Sequence, residues 1–428
     1  MLAAYEGEPA TWQAVTQSLR DALIEFARTR VPFYRDRLPA AGCSFDDLPL
    51  LTKSLIRTHT DDLFAAGIPE ERRVSKATSG STGEPLVFFK DFGAGSAEVA
   101  ARDFLRGLHQ VPHDATMVWL ATHGDMTSRP TRAPRDPWWH RARRRAKRQS
   151  APQDIHRVSV LTLTPDLLKR ELDLWSEFGT YYLYGYASAI CWIADQIETR
   201  HLGHRNMPRM VITTADLLPS EGRTQITDVF GCPVESWYGS HELGGYLAGT
   251  VPGTQRYMFN PLLAYVEVTD NSGHTVLPGE IGKVVVTDLN NYAFPFIRYD
   301  TGDLAIRPAD REWVGGWRMV DGILGRSSET IRLPSGKLIS GVSLGQTLFV
   351  THAFTPQIRF YQCVQTGRNE LELRIVWRRT PSSDDELQVK AAVREIADAD
   401  THVRVCGVES LETSPAGKTW IVRSLILE

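Results

Sequence analysis

Strand-like and helix-like segments alternate through the first half of the chain, and this alternation constrains the fold more than any other feature. Short runs rich in apolar and aromatic residues are typical of buried strands, and they occur at 117–121, 158–161, 181–186 and 209–214. Apolar residues at helical spacing occur at 11–30, 93–108, 165–178, 187–199 and 219–230. Because parallel strands need a crossover connection, usually a helix, the pattern predicts an α/β fold with mainly parallel sheets flanked by helices.

The second half of the chain has a different pattern. Residues 257–286 are β-rich and predict a separate subdomain. Beyond Gly325 the pattern is typical of a small α+β domain, with strands at 358–364, 370–376 and 403–408 and a helix at 384–397. We therefore expect a large N-terminal domain, residues 1–324, and a small C-terminal domain, residues 325–428.

The composition is that of an ordinary globular protein, with 428 residues, 42% of them hydrophobic, and a net charge of −3. Five cysteines are widely scattered without a Cys-x-x-Cys pair, which favours reduced thiols. The N-terminus lacks the basic start and apolar core of a secretory signal, and no apolar run approaches the length of a membrane span. These features together predict a cytoplasmic location without a transmembrane segment.

Positive charge is concentrated in one segment, residues 129–148, which contains nine Lys and Arg residues and one Asp. The rest of the chain has 39 basic and 50 acidic residues, so this segment stands out against an acidic background. Two interpretations remain open: a solvated insertion without a partner, or a docking patch for an anionic membrane surface or carrier. Nothing else in the chain resembles a nucleic-acid-binding module, so no specific nucleic-acid partner is expected.

Residues 78–85, Thr-Ser-Gly-Ser-Thr-Gly-Glu-Pro, alternate hydroxyl side chains with glycines just before the apolar run 86–89. Glycines let the backbone approach a ligand closely, and N–H groups and hydroxyls donate hydrogen bonds to anionic oxygens. The alternative is a flexible surface turn rich in Ser and Gly. The stretch therefore predicts a phosphate-binding loop, whose candidate residues are Ser79, Gly80, Ser81, Thr82 and Gly83.

Three further stretches place chemically useful side chains in turns. Residues 237–245 (Trp-Tyr-Gly-Ser-His-Glu-Leu-Gly-Gly) bring an aromatic ring, a glycine and a carboxylate together, and residues 298–303 (Arg-Tyr-Asp-Thr-Gly-Asp) hold two carboxylates. Residues 414–419 (Ser-Pro-Ala-Gly-Lys-Thr) place a lysine after a glycine. The pair His241 and Glu242 begins like a zinc-protease helix, but Gly245 stands where the second histidine is needed, so zinc-dependent hydrolysis is not expected.

The order and spacing of these four stretches, with Gly325 and Arg326 between the third and the fourth, resemble the adenylate-forming superfamily of acyl- and aryl-coenzyme A ligases. The best resemblance is to the phenylacetate-coenzyme A ligase-like branch, which includes CapK-like proteins. It extends from about Val31 to Val422 and includes Pro-Phe-Tyr-Arg at 32–35 and Leu-Pro-Leu-Leu-Thr-Lys at 48–53.

The resemblance implies an ATP site built from separate parts of the chain. The loop residues 79–83 are expected to hold the β- and γ-phosphates, and Tyr238, with Gly239 beside it, to lie against adenine. Asp303 is expected to accept hydrogen bonds from both ribose hydroxyls. Arg326 is expected to contact the nucleotide beside the hinge between the two domains.

The resemblance also implies the catalytic residues Lys418, Glu242 and His241. Lys418 is expected to stabilise the charge that develops between the acyl carboxylate and the α-phosphate, and to be carried by a mobile C-terminal lid domain. Glu242 is expected to coordinate Mg²⁺, a hard cation that prefers carboxylate and phosphate oxygens. His241 occupies a position where the family commonly has Thr or Ser.

Two features depart from the family pattern. The phosphate loop ends Glu-Pro-Leu at 84–86, without the lysine that follows the proline in many members, so phosphate binding should depend more on backbone and hydroxyl donors. The hinge region Arg-Ser-Ser-Glu at 326–329 lacks the usual aspartate.

The function implied by the resemblance is an ATP-dependent, AMP-forming carboxylate ligase. A carboxylic acid attacks the α-phosphate, pyrophosphate leaves, and the acyl group passes to a thiol of coenzyme A or of a carrier protein. An alternative acceptor is an amine, which gives an amide in polysaccharide or secondary-metabolite biosynthesis. A third hypothesis is a nucleotide-binding protein without turnover. The expected cofactors are ATP and Mg²⁺, with coenzyme A as a co-substrate if the acceptor is its thiol.

Overall fold

The computed structural model describes residues 9–38, 45–69, 73–77, 86–121, 155–160, 162–203, 206–310, 312–314, 316–326, 330–335, 338–339, 341–352, 354, 356–413 and 420–426. Within these residues the helices are α1 (Pro9–Arg30), α2 (Pro32–Arg37), α3 (Lys53–Thr58), α4 (Phe92–Leu108), α5 (Pro165–Trp175), α6 (Ala187–Arg200), α7 (Ser220–Phe230), α8 (Gly341–Gly345) and α9 (Ser383–Ile396). The first strands are β1 (Val74–Ala77), β2 (Val87–Lys90), β3 (Thr116–Ala121), β4 (Ile155–Ser159), β5 (Tyr181–Tyr186), β6 (Val211–Thr214), β7 (Val234–Tyr238), β8 (Ala248–Thr250), β9 (Tyr257–Phe259), β10 (Ala264–Thr269) and β11 (Ile281–Asp288). The later strands are β12 (Tyr299–Ile306), β13 (Trp313–Val314), β14 (Trp317–Val320), β15 (Ile323–Arg326), β16 (Ile331–Arg332), β17 (Leu338–Ile339), β18 (Ile358–Gly367), β19 (Glu370–Trp377), β20 (His402–Gly407) and β21 (Val422–Ser424).

The largest sheet of the described residues has nine strands in the order β13-β14-β9-β8-β7-β6-β5-β3-β4. The five strands from β7 to β4 run parallel, and α5, α6 and α7 connect successive members. This arrangement confirms the predicted α/β fold. The remaining four strands pair antiparallel and extend the sheet beyond its parallel part, which the sequence pattern did not predict.

Local capping chemistry determines where the helices begin. Thr164 accepts a hydrogen bond from the backbone N–H of Leu167, and Pro165 occupies the first turn of α5. The predicted helix 165–178 ends earlier, at Trp175, and the predicted strand 158–161 begins earlier and ends at Ser159. Such shifts of a few residues are expected, because periodicity locates an element better than it locates the element's ends.

Two apolar cores cover the two faces of the parallel strands. On one face, Leu183 and Val211 pack against α5, α6 and α7. On the other face, Tyr182 and Tyr184 pack with Leu105 of α4. Tyr182 and Tyr184 are buried, as the sequence predicts for a buried strand at 181–186.

The β-rich segment forms a four-stranded antiparallel sheet in the order β10-β11-β12-β15, as the sequence predicts for a separate subdomain. Helices α1 and α2 share one core with this sheet, through side chains such as Leu23 and Val266. The N-terminal helices therefore brace the subdomain that carries β12.

Described residues from Ile331 onward form an α+β unit with its own core, a sheet in the order β20-β19-β18-β21 and helix α9. A capping box of Ser382 and Asp385 begins α9. The unit contacts the N-terminal part through Arg359 of β18, which donates two hydrogen bonds to the carboxylate of Asp195 on α6.

No helix in the described part of the chain combines the length and the apolar character needed to cross a membrane. The four cysteines that the structure describes, Cys191, Cys232, Cys363 and Cys406, are free thiols.

Candidate active site

Tyr238 ends β7, at the carboxyl edge of the parallel strands, where open α/β sheets bind their ligands. Its hydroxyl donates a hydrogen bond of 2.7 Å to Oδ2 of Asp303 on β12. The structure therefore brings together two predicted nucleotide-binding residues that are 65 positions apart.

Asp303 lies directly opposite Arg326 in the antiparallel pair of β12 and β15. The Arg326 Nε atom is 3.9 Å from Asp303 Oδ1, and the Asp303 side chain is 16% exposed. Burial raises the pKa of Asp303, while the positive charge of Arg326 and the Tyr238 hydrogen bond act in the opposite direction. A partly exposed carboxylate in this setting would gain further hydrogen bonds from the hydroxyl groups of a ligand.

Glu242 lies four residues beyond the end of β7, with its side chain 6% exposed. Oε1 of Glu242 accepts a hydrogen bond of 2.9 Å from the hydroxyl of Tyr299, and Lys53 Nζ stands 4.0 Å from the same oxygen. Burial and the neighbouring negative charge of Glu242 raise the pKa of Tyr299, so its hydroxyl keeps its proton and remains a donor.

The backbone between Glu242 and Tyr238 forms a tight turn. The N–H groups of Leu243 and Gly245 both donate to the carbonyl oxygen of Ser240, at 3.1 and 2.8 Å. A Cβ atom at Gly239 would lie 1.9 Å from the carbonyl oxygen of Gly245, so only glycine fits there. Among the described residues, the hydroxyl oxygen of Ser240 is buried without a hydrogen-bond partner, which is typical of an atom that a ligand or water satisfies.

His241 is exposed, and its ring meets the ring of Phe88 edge-on, with the centroids 5.6 Å apart. Phe88 belongs to β2, the strand that follows the predicted phosphate loop. His241 therefore lies between that strand and Glu242. Its catalytic role stays a prediction.

Strands β1 and β2 flank the predicted phosphate loop and pair antiparallel, with Ala77 opposite Val87. Lys76 and Lys90, one from each strand, both contact the carboxylate of Glu98 on α4. The loop residues themselves, Ser79, Gly80, Ser81, Thr82 and Gly83, lie outside the described residues, as do Lys418 and the basic segment 129–148. Their roles stay predictions.

The stretch 298–303 contains two carboxylates with different structural roles. Asp300 forms an ion pair with Lys283, 3.0 Å away, and accepts a hydrogen bond from the N–H of Gly302. These contacts stabilise the turn itself. Asp303, in contrast, points its carboxylate to Tyr238 and Arg326, so only one of the two acids is available to the site.

A small pocket lies where β15 meets the C-terminal unit. Its lining includes Leu324, Gly325, Leu217 and Trp420. Trp420 follows Lys418 by two residues, and Gly325 directly precedes Arg326. Trp420, the first described residue after the stretch 414–419, therefore lies near the strand that carries Arg326.

Sequence reasoning missed two residues of this site, Lys53 and Tyr299. Tyr299 belongs to the stretch 298–303, but the sequence gives no role for its hydroxyl, which reaches Glu242 only through the fold. Lys53 occurs in the segment 48–53, which by itself indicates no contact with Glu242. The missing lysine in the phosphate loop was the one signal that could have directed attention to a cation elsewhere in the chain.

No group of three or more His, Cys, Asp and Glu side chains forms a metal-ligand cluster among the described residues. A single carboxylate such as Glu242 nevertheless suits Mg²⁺, which keeps several waters and is usually held by one or two carboxylates together with substrate phosphates. The donor set of this site therefore fits a magnesium ion that arrives with a nucleotide.

No family model matches the chain. The chain is 22% identical over 309 residues to Protein CapK of Staphylococcus aureus, a match that covers 71% of this chain and 64% of CapK. It is 23% identical over 385 residues to phenylacetate-coenzyme A ligase of Thermus thermophilus, covering 85% of this chain and 81% of that protein. A solved 2-hydroxyisobutyryl-CoA ligase in the postadenylation state superposes over 96% of this chain and 88% of that one, with a TM-score of 0.72 and 17% identity.

These similarities are to proteins of the phenylacetate-coenzyme A ligase-like and CapK-like kind, and the superposition shows that the chain shares the fold of a solved acyl-CoA ligase. Tyr238 at the carboxyl end of β7 lies close to Asp303 and Arg326 of the smaller sheet, and Glu242 lies near them in the turn after β7. The roles of these four residues stay predictions. Against the same 2-hydroxyisobutyryl-CoA ligase in its thioesterification state, the TM-score is 0.56.

Proposed function

We propose that this adenylate-forming protein is an ATP-dependent, AMP-forming carboxylate ligase. A carboxylate oxygen of the acid attacks the α-phosphorus of ATP, the bond to the β-phosphate oxygen breaks, and pyrophosphate leaves with the electron pair. The acyl group of the resulting adenylate then passes to an acceptor, and AMP leaves.

The observation that carries this proposal is the group formed by Tyr238, Asp303 and Arg326. The carboxylate of Asp303 lies at a strand edge with room for further donors, and the two hydroxyls of a ribose are donors that match it. The ring of Tyr238 is fixed by its hydrogen bond to Asp303 and by edge contacts with Phe259, so it offers a rigid surface for a base. These residues bind and orient the nucleotide.

Around this group we assign the other roles in the first half-reaction. The loop residues 79–83 would hold the β- and γ-phosphates, and Glu242 would hold a Mg²⁺ ion, which when bound would supply charge neutralisation on the leaving oxygens. Lys418 stabilises the charge that develops between the acid and the α-phosphate, and His241 stands at the entrance beside Phe88. The approach of Trp420 to Gly325 supports this assignment of Lys418.

The acceptor is proposed to be a thiol, of coenzyme A or of a carrier protein. The similarity to phenylacetate-coenzyme A ligase over 85% of this chain supports a thiol. The similarity to CapK keeps an amine as the alternative, with an amide as its product. The acid substrate is a small-molecule carboxylic acid, and the C-terminal unit after Gly325 is proposed to rotate between the two half-reactions.

The test is to trap adenylates with hydroxylamine across a library of carboxylic acids and then to offer thiol and amine acceptors to the best acid. We expect ATP- and acid-dependent hydroxamate, and calorimetric binding of ATP with magnesium that Asp303→Ala weakens by about 1.5–3 kcal/mol, since a hydrogen bond to a charged group is lost. Wild-type protein that fails to bind ATP would contradict the proposal. ATP binding without hydroxamate from any acid would favour a nucleotide-binding protein without turnover.

A further inference from the structure

We propose that Lys53 supplies the phosphate-binding cation that the phosphate loop lacks, and that its ammonium group contacts the β- and γ-phosphates of ATP and the departing pyrophosphate. This inference rests on the proposed function. It assigns a binding role to a residue outside the four stretches from which that function was derived.

The phosphate loop has no cation of its own in the sequence around it. No Lys or Arg occurs between Thr78 and Phe89. The two flanking lysines, Lys76 and Lys90, both form ion pairs with Glu98, and Lys90 is buried. These two lysines hold the hairpin against α4, so neither is available to a phosphate.

Lys53 reaches the site from a different part of the chain. It is the first residue of α3, whose start is capped by the hydroxyl of Thr52. The preceding residue Leu51 pairs with β12, since its N–H donates to the carbonyl of Arg298 and its carbonyl accepts from the N–H of Asp300, both at 2.9 Å. This pairing places Lys53 beside the strand that carries Tyr299 and Asp303.

A buried arginine fixes the segment that leads to Lys53. Arg298 is 1% exposed, forms an ion pair with Glu267, and donates to the carbonyl oxygens of Asp46 and Leu48. Its backbone φ of 49° lies in the left-handed region, which a side chain other than glycine adopts at a cost. Such strain persists only where the surrounding structure enforces it, so the position of the segment is strongly specified.

The contact between Lys53 and Glu242 is too long to be a completed ion pair. The two atoms are 4.0 Å apart, whereas a charge-assisted N–H···O bond is usually 2.7–2.9 Å. Oε1 of Glu242 already accepts the hydroxyl of Tyr299, and the Lys53 side chain stays 31% exposed. Burial raises the pKa of Asp303, and the positive charge of Lys53 acts to lower it, so Lys53 lies near both carboxylates.

A partly exposed cation near two carboxylates, with no close ion pair to either, can bind a polyanion. Glu242 and Asp303 would repel the phosphates of ATP, and Lys53 offsets that repulsion at the point where Glu242 is proposed to hold magnesium. Lys53 gives three donors on a flexible stem, which suits phosphate oxygens that change position as pyrophosphate leaves. Its effect should therefore depend on the number of phosphates on the ligand.

The test compares ATP with AMP in calorimetric titrations of the full chain, for wild type, Lys53→Met, Lys53→Arg and the control Arg57→Met. Arg57 is an exposed cation one turn further along α3, so its removal changes the net charge equally. We expect Lys53→Met to weaken ATP binding about tenfold or more and to leave AMP binding unchanged, with partial recovery in Lys53→Arg. Arg57→Met should match the wild type.

Equal losses for ATP and AMP in Lys53→Met would overturn the inference, because they would show that Lys53 only positions Glu242 and Asp303. No loss for either ligand would overturn it as well. If the variant does not fold, amine acetylation of the wild type with detection by mass spectrometry decides: ATP, but not AMP, should protect Lys53. A wild type that binds no ATP contradicts the proposed function itself, whereas ATP binding that is insensitive to Lys53 contradicts only this inference.

Discussion

Two groups of charged side chains differ in how completely they are paired, and the difference separates a structural contact from a binding site. At the contact between α6 and β18, the carboxylate of Asp195 is fully buried and receives two hydrogen bonds from Arg359, the Nε bond at 2.6 Å. In the proposed site, Lys53 Nζ stands 4.0 Å from Oε1 of Glu242. The structural pair is closed by direct hydrogen bonds between its charged groups, whereas the separation between Lys53 and Glu242 is one that a ligand can fill.

The Asp195 contact joins residues on opposite sides of Gly325 and therefore acts on the arrangement of the proposed domains. Arg378 and Glu198 form a second, more exposed pair across the same boundary, 3.7 Å apart. If the C-terminal unit rotates between half-reactions, both ion pairs must open. Opening the buried pair would require most of the free energy.

The largest effect is expected when the ion pair between Arg359 and Asp195 is broken. Arg359→Met leaves the buried carboxylate of Asp195 without its cation. We expect the free energy of unfolding in denaturant to fall by about 3–5 kcal/mol. The double variant Asp195→Asn with Arg359→Met should recover part of this loss, because the uncompensated charge is gone. The matched control Arg378→Met should change stability by less than about 1 kcal/mol, since an exposed pair contributes little. Equal effects of the two arginine variants would contradict the comparison.

The next effect concerns Asp303 in the proposed site and depends on pH. Burial raises the pKa of Asp303 in the folded protein above its value in the unfolded chain. At low pH the carboxyl group is protonated in both states and does not affect stability. As pH rises through the folded pKa, the carboxyl group must ionise while buried, and the free energy of unfolding falls. Asp303→Asn should therefore raise the unfolding free energy of the ligand-free protein at pH 7 and have little effect near pH 4. The same variant should weaken ATP binding at pH 7. Denaturant unfolding at pH 4 and pH 7 measures the change in stability, and calorimetry measures the change in ATP affinity. A lower stability of Asp303→Asn at pH 7 would contradict the raised pKa of Asp303.

The smallest effect concerns the hydroxyl of Tyr238. Tyr238→Phe removes the hydrogen bond to Asp303, which should weaken AMP binding by about 1 kcal/mol and move the acid side of its pH profile upward. Tyr299→Phe removes the matching hydroxyl from Glu242 and is the control, because Asp303 keeps its own partner. AMP titrations from pH 5 to 8 provide the measurement. A shift of equal size in both variants would show that the two tyrosines do not act on separate carboxylates.

The sequence predicted the local elements well where periodicity and capping agree. The helix predicted to begin at residue 165 does begin there, as α5, and the parallel strands from β3 to β7 follow the alternation of apolar runs and helices. These agreements have one cause, since hydrophobic period and capping act over a few residues. The choice of Tyr238, Glu242, Asp303 and Arg326 came from the family resemblance, and their roles stay predictions.

Tertiary structure alone decided which charges belong to the site. Asp300 and Asp303 are three residues apart in one stretch, yet only the pairing of Asp300 with Lys283 shows that it stabilises the turn. Lys53 reaches Glu242 because Leu51 pairs with residues 298–300, nearly 250 positions later. Such pairing depends on long-range register and on the buried side chain of Arg298. Neither leaves a periodic signal in the sequence, because the contacts join segments whose local patterns are independent of each other.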